Sequence, residues 1–165
     1  MRTSHLLILL TLLSSCNTNK YNTWSIINFT DEFGEKQSSA IGYEAFFRGK
    51  MENNISGNDD LTINVQIEDT TVRMIFYEYN KNIITQLPEN EFVNARIKLS
   101  NNEIKDIQMF CYQNRLFDAQ KGELLKLILS QNKPVKIFIN LYQINTKYNF
   151  EIDPIGLKNI LKMKR

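Results

Sequence analysis

The sequence predicts a mainly β domain, an antiparallel β-sandwich or flattened barrel of about eight strands with two short helices. Three observations carry that expectation. Apolar residues recur at every second position in several stretches, the pattern of a strand with one face buried. The stretches are joined by a few polar residues, too short for a parallel crossover, so neighbours run antiparallel. Helical periodicity appears in only two places.

Taken in order, 23–29 and 41–50 are expected strands with irregular patterning. Leu61, Ile63, Val65 and Ile67 alternate with Thr62, Asn64, Gln66 and Glu68. Glu68-Asp69-Thr70 then turns the chain into 71–79, with Val72, Met74 and Phe76 on one face, so the two segments read as a hairpin. Val93, Ala95, Ile97 and Leu99 form the next strand, with Arg96 and Lys98 outward, and residues 100–103 turn it into 104–112. Over 121–130, Leu124, Leu125, Leu127, Ile128 and Leu129 make a broad apolar helix face, ended by Asn132-Lys133-Pro134. Val135, Ile137, Ile139 and Leu141 restore the strand period, and Asn145 turns the chain towards Tyr148, Phe150 and Ile152. Asp153-Pro154 suits a helix N-cap followed by the first helical position, with Leu157, Ile160 and Leu161 inward. No repeat or low-complexity linker divides the chain, so 23–165 is expected to be a single domain.

The N-terminus carries a different signal. One firm positive charge, Arg2, precedes the apolar run 6–13, which is well short of the roughly 20 residues needed to span a bilayer. The run ends in Leu13-Ser14-Ser15-Cys16, which resembles the lipobox of bacterial lipoproteins. That resemblance implies a leader over 1–15, a diacylglycerol on the Cys16 thiol, cleavage before it and acylation of the new amine. Residues 16–22 would then be a polar lipidated tether. The chain has neither an Asp beside Cys16 nor an acidic cluster after it. Both absences favour the periplasmic face of the outer membrane.

Composition narrows the chemistry. Cleavage before Cys16 removes one of the 20 basic residues and none of the 18 acidic ones, leaving the mature chain at +1. Near-neutrality argues against nucleic acid as a partner. Lys158, Lys162, Lys164 and Arg165 read as the wet face of the last helix, with a membrane-headgroup contact as the sharper alternative. The only histidine, His5, lies in the leader, and lipidation of Cys16 leaves Cys111 as the one thiol. Triads built on His, Cys-His pairs, His-ligated metals and internal disulfides are therefore excluded from the mature domain. No cofactor and no metal site is expected. Cys111 continues the alternation of Ile107 and Met109 and reads as a small core residue.

The stretch Trp24, Ile26-Ile27-Asn28-Phe29-Thr30, Asp31-Glu32-Phe33-Gly34-Glu35 resembles a group of small exported Bacteroidetes proteins. The ending Tyr148 to Asp153 with Gly156-Leu157 is also similar to β-sandwich modules of the invasion-associated locus B and TagO-like groups. The resemblance implies a small β-sandwich and brings no activity with it.

Asp31, Glu32 and Glu35 around Gly34 could hold a cation or act as an acid/base pair, although a solvated turn is the plainer reading. The loop 53–60 has oxygen ligands and a glycine but does not fit the twelve-residue calcium pattern. Exposed aromatics are the stronger candidates. Tyr77 and Tyr79, with Phe138 and Tyr142, and with Phe110 and Tyr112 on the strand 104–112, would form a Tyr-rich binding patch if their faces adjoin. The bland alternative is that this face packs under a helix or a second sheet. Asp69-Thr70-Thr71 resembles a short O-glycosylation acceptor of Bacteroidetes periplasmic proteins, which would place a glycan on Thr70. The expected role is a non-enzymatic envelope module that binds a protein or glycan. The alternative is a glycan-processing enzyme working through carboxylates or a metal.

Overall fold

The computed structural model describes residues 21–30, 36–54, 57–79, 83–84, 87–120 and 122–162. The strands are β1 (Ser25–Thr30), β2 (Lys36–Glu52), β3 (Asp59–Glu68), β4 (Thr71–Glu78), β5 (Ile83–Ile84), β6 (Phe92–Lys98), β7 (Ile104–Tyr112), β8 (Arg115–Asp118), β9 (Val135–Leu141) and β10 (Thr146–Ile152). Helix α1 (Glu123–Ser130) lies between β8 and β9, and α2 (Pro154–Lys162) follows β10.

Eight of these strands close into an antiparallel barrel in the order β2-β3-β4-β8-β7-β6-β9-β10 and back to β2. Of the two expected architectures, this is the barrel. Closure depends on the length of β2, whose 17 residues serve three partners. One edge pairs with β3 from Gly42 to Met51. The other pairs first with β1, between Lys36 and Glu44, and then with β10, between Gly49 and Glu52. β1 therefore extends the sheet outside the ring, and β5 pairs with the end of β4.

The alternating residues point where their periodicity demands. Phe47, Ile63, Val65, Val72, Met74, Phe76, Ile97, Met109, Cys111, Leu116, Ile137 and Ile139 are fully buried. An eight-stranded ring encloses a space that side chains can fill or that can be left for one small ligand. Here side chains fill it, each large aliphatic or aromatic group contributing about 1.5–3 kcal/mol through burial. Phe76 stacks on Tyr148 with ring centroids 4.8 Å apart and meets Phe150 edge-on at 6.0 Å. The Tyr148 hydroxyl donates to Glu78 Oε1 at 2.6 Å, so the one phenol in this cluster is satisfied.

The two helices cover the barrel end at which β8 and β10 finish. Leu124, Leu125 and Ile128 of α1 and Leu157 of α2 join the core. Asp118 ends β8 and starts α1: its Oδ2 accepts the Leu124 amide at 3.0 Å and its Oδ1 the Gln120 amide at 3.2 Å. Burial raises the Asp118 pKa above its ordinary value, with the backbone N–H groups pulling the other way. At α2 the expected N-cap forms, Asp153 Oδ1 accepting the Ile155 amide at 2.9 Å. Trp24 sits beneath this helix, donating from Nε1 to the Asp153 carbonyl at 3.3 Å and meeting Phe47 edge-on. Gly156 makes that seat, since a Cβ there would lie 2.9 Å from Trp24 Cδ1.

Just upstream, the chain is pinned to the outer wall of β2. Tyr21 bridges to Phe46, and the Asn22 amide donates to the Phe46 carbonyl at 2.8 Å. Arg48 lies over the Tyr21 ring, 4.3 Å from its centroid.

Candidate functional site on the outer barrel wall

With the interior filled, any ligand site has to lie on the outside. A groove of about 250 Å³ runs along the outer faces of β6, β7 and β9. It is smaller than the usual range of ligand-site volumes, about 300–1,000 Å³, and is shallow by comparison with enclosed pockets. Its aromatic walls are Phe92, Phe138 and Tyr142, which are 58%, 36% and 82% exposed. Its polar groups are Asn94, Asn140, Gln143, Arg96 and Asp106.

The register explains how residues far apart in sequence converge. Ala95 of β6 faces Ile139 of β9, and Arg96 faces Phe138. Stepping one residue back along β6 sets Asn94 beside Asn140. Arg96 also faces Asp106 of β7, and its Nε donates to Asp106 Oδ1 at 3.3 Å. Tyr142 begins a single 3-10 turn between β9 and β10, whose following residue, Asn145, takes φ 49°. The Gln143 amide is held by Glu91 Oε2.

An aromatic band continues from the groove around the barrel. Phe92 faces Phe110 across β6 and β7, with centroids 5.1 Å apart, and Phe110 faces Phe117 of β8. Phe117 in turn faces Arg73 of β4, whose guanidinium lies 5.9 Å from the ring centroid. Burial lowers the Arg73 pKa.

The structure divides the aromatic patch expected from the sequence. Tyr77 lies on β4 and Phe138 on β9, four strands apart around an eight-stranded ring, so their faces do not adjoin. Alternation fixed which way each side chain points, but chain order could not place β9 beside β6 instead of β4. Tyr77 is half-buried, and burial together with the nearby Glu44 charge raises its phenol pKa. Tyr79 packs against the core and its hydroxyl accepts from Asn53 Nδ2 at 3.2 Å. Phe138 and Tyr142 do share one surface. Phe110 and Tyr112 point outward from β7, Phe110 within the band.

Asp31, Glu32 and Glu35 lie outside the described residues, as does Cys16. Thr70 is exposed at the β3–β4 turn, where Asp69 takes φ 53°. Cys111 is buried in the barrel, and burial first, then Glu91 and Glu89, pushes its thiol pKa up to about 11. Lys158 is drawn off the wet face of α2, donating to Asn132 Oδ1 at 2.8 Å. Among the described residues no three His, Cys, Asp or Glu side chains converge as metal ligands.

Phe92, Asn94 and Asn140 are among the groove residues that sequence reading left out, with Asp106 and Gln143. The outward positions of the first three follow from the same alternation that places Val93, Ala95, Ile139 and Leu141 inward. What was missing was the β6–β9 neighbourhood, a pairing between strands separated by β7, β8 and α1.

Fold and site together define a side-chain-filled, eight-stranded antiparallel barrel with an aromatic and amide groove on its outer wall. No family model, curated protein or solved structure matches this chain.

Proposed function

We propose that this chain is an exported bacterial lipoprotein whose barrel is a non-enzymatic binding module of the cell envelope, working through the outer groove. The observation that carries the binding half is the exposure of Phe92, Phe138 and Tyr142 around a groove outside a filled barrel. Exposed apolar side chains are ordinary when scattered, but three large aromatics around one groove make a patch of the kind on which recognition energy concentrates. The address rests on the leader 1–15 and on Leu13-Ser14-Ser15-Cys16, which support lipidation of Cys16 and tethering of the domain at the outer membrane, facing the periplasm.

Both halves are tested with the full chain. Grown with an alkyne-bearing fatty acid, a bacterial host should label the wild-type protein, and Cys16→Ser should abolish the label and leave the leader uncut. A labelled Cys16→Ser protein would overturn the address. Purified wild-type chain, kept in detergent so that its lipid does not partition, should co-sediment with detergent-extracted cell envelopes, and Phe138→Ser with Tyr142→Ser should reduce that at least tenfold at unchanged thermal stability. Undiminished co-sedimentation would overturn the use of the groove.

A further inference from the structure

Resting on the reading of the groove as a binding site, we infer that its ligand is a neutral oligosaccharide with flat, C–H-bearing pyranose faces. The arrangement of polar and apolar groups carries this. Protein-binding surfaces concentrate their apolar anchors at the centre and put polar groups on the rim. This groove is arranged the other way: Asn94 lies between Phe92 and Arg96 along β6, and Asn140 between Phe138 and Tyr142 along β9, so the amides are flanked by the aromatic rings.

Among the described residues the side chains of Asn94 and Asn140 make no hydrogen bond with the protein, so each amide has two N–H donors and a carbonyl to offer. A sugar hydroxyl both donates and accepts, so paired amides satisfy it as a lone carboxylate or lysine cannot. The aromatic walls supply the other half. The negative face of an aromatic ring attracts weakly positive C–H groups, such as those on one face of a pyranose. Phe138, midway along β9, and Tyr142, just past its end, would offer such faces to one or two successive residues of a glycan chain.

Charge fixes the class. Arg96 and Asp106 are the charged side chains lining the groove, and they are bonded to each other at 3.3 Å. Gln143, beside them, is held by Glu91. The lining of the groove therefore carries no net charge to favour a phosphate, sulfate, uronate or amine over a neutral sugar. A filled interior fits the same picture, because a chain-like ligand lies along an outer wall and need not enter the barrel.

The test titrates the purified full chain with cellohexaose, chitohexaose, xylohexaose and mannohexaose. The readouts are calorimetry and the side-chain amide NMR signals of Asn94 and Asn140. At least one neutral hexasaccharide should bind and shift both amide signals. Phe138→Ala and Tyr142→Ala should each weaken binding about tenfold or more, and Tyr77→Ala, on the far side of the ring, should leave it within twofold. Polygalacturonate oligomers should bind at least tenfold more weakly than the best neutral ligand. The inference is overturned if no hexasaccharide moves the Asn94 and Asn140 signals, or if the acidic oligomer binds as well. Should that happen while the groove variants still lose envelope co-sedimentation, the groove binds an envelope component other than a neutral glycan, and only the choice of ligand fails. Should co-sedimentation survive as well, the groove itself is not the binding site.

Discussion

Gly49 offers a test in which local propensity and tertiary packing predict opposite signs. It lies on β2 where the barrel closes, facing Leu61 of β3 on one side and Phe150 of β10 on the other. In strand interiors, replacing glycine by alanine ordinarily stabilises by about 0.5–1 kcal/mol, because glycine loses more backbone freedom on folding. At Gly49 a Cβ would lie 2.7 Å from the Asn149 carbonyl oxygen, 2.8 Å from Phe150 Cβ and 3.0 Å from Ile63 Cδ1. The first two contacts are with backbone and a Cβ, which cannot swing aside, so β2 and β10 must separate to admit the methyl. Forced overpacking of this kind costs about 1–3 kcal/mol, occasionally more. At about 2–4 °C per kcal/mol for a domain of this size, Gly49→Ala should lower Tm by about 2–12 °C. Gly57→Ala is the control. Nothing lies within 4 Å of its added Cβ, so its stability should stay within about 0.5 kcal/mol of wild type. Differential scanning calorimetry of the two variants beside wild type decides the matter. A Gly49→Ala protein as stable as wild type, or more so, would refute closure of the barrel through the β2–β10 pairing.

Two further expectations follow from buried groups. The Cys111 pKa is near 9 when exposed and about 11 in the fold, so the folded protein keeps a proton that the unfolded chain releases. Stability should therefore be intact below about pH 9 and decline as pH rises towards 11. Urea unfolding at pH 8 and pH 10.5 should show that loss in wild type, and a Cys111→Ala protein showing the same loss would assign it elsewhere. Asp118→Ala removes the acceptor for the Gln120 and Leu124 amides, leaving a buried helix start unsatisfied. It should cost about 1–3 kcal/mol, read as a lower urea midpoint at unchanged m value; a midpoint at the wild-type value would mean the helix start is satisfied without this carboxylate.

Much of the barrel was legible because half-buried strands advertise themselves. The β3–β4 and β6–β7 hairpins, β9, β10 and the Asp153 cap all follow from alternation and turn chemistry. β8 did not show, because its hairpin turns on Gln113 and Asn114, at φ 49° and 56°, without the glycine that usually marks such a turn. The start of β2 was also hidden, since its first residues are held by pairing with β1 and lack an apolar rhythm of their own. The groove was legible in half. Phe138 and Tyr142 stood out as outward aromatics, but Asn94 and Asn140 matter only through a neighbour relation that closure of the ring creates. Tyr77 was grouped with them by composition, and the ring places it on the other side.

The pinning of Tyr21 to β2 has a consequence for how the molecule would sit in an envelope. Four residues lie between Cys16 and Tyr21, and the five Cα-to-Cα steps that join them reach no further than about 18 Å when fully extended. A fatty anchor on Cys16 would thus hold the β2–β3 flank close against the bilayer, on a leash too short for the barrel to roll over. β6 lies three strands from β2 in one direction and four from β3 in the other. The groove would then open outward, away from the lipid, towards whatever polymer or protein fills the space above the membrane.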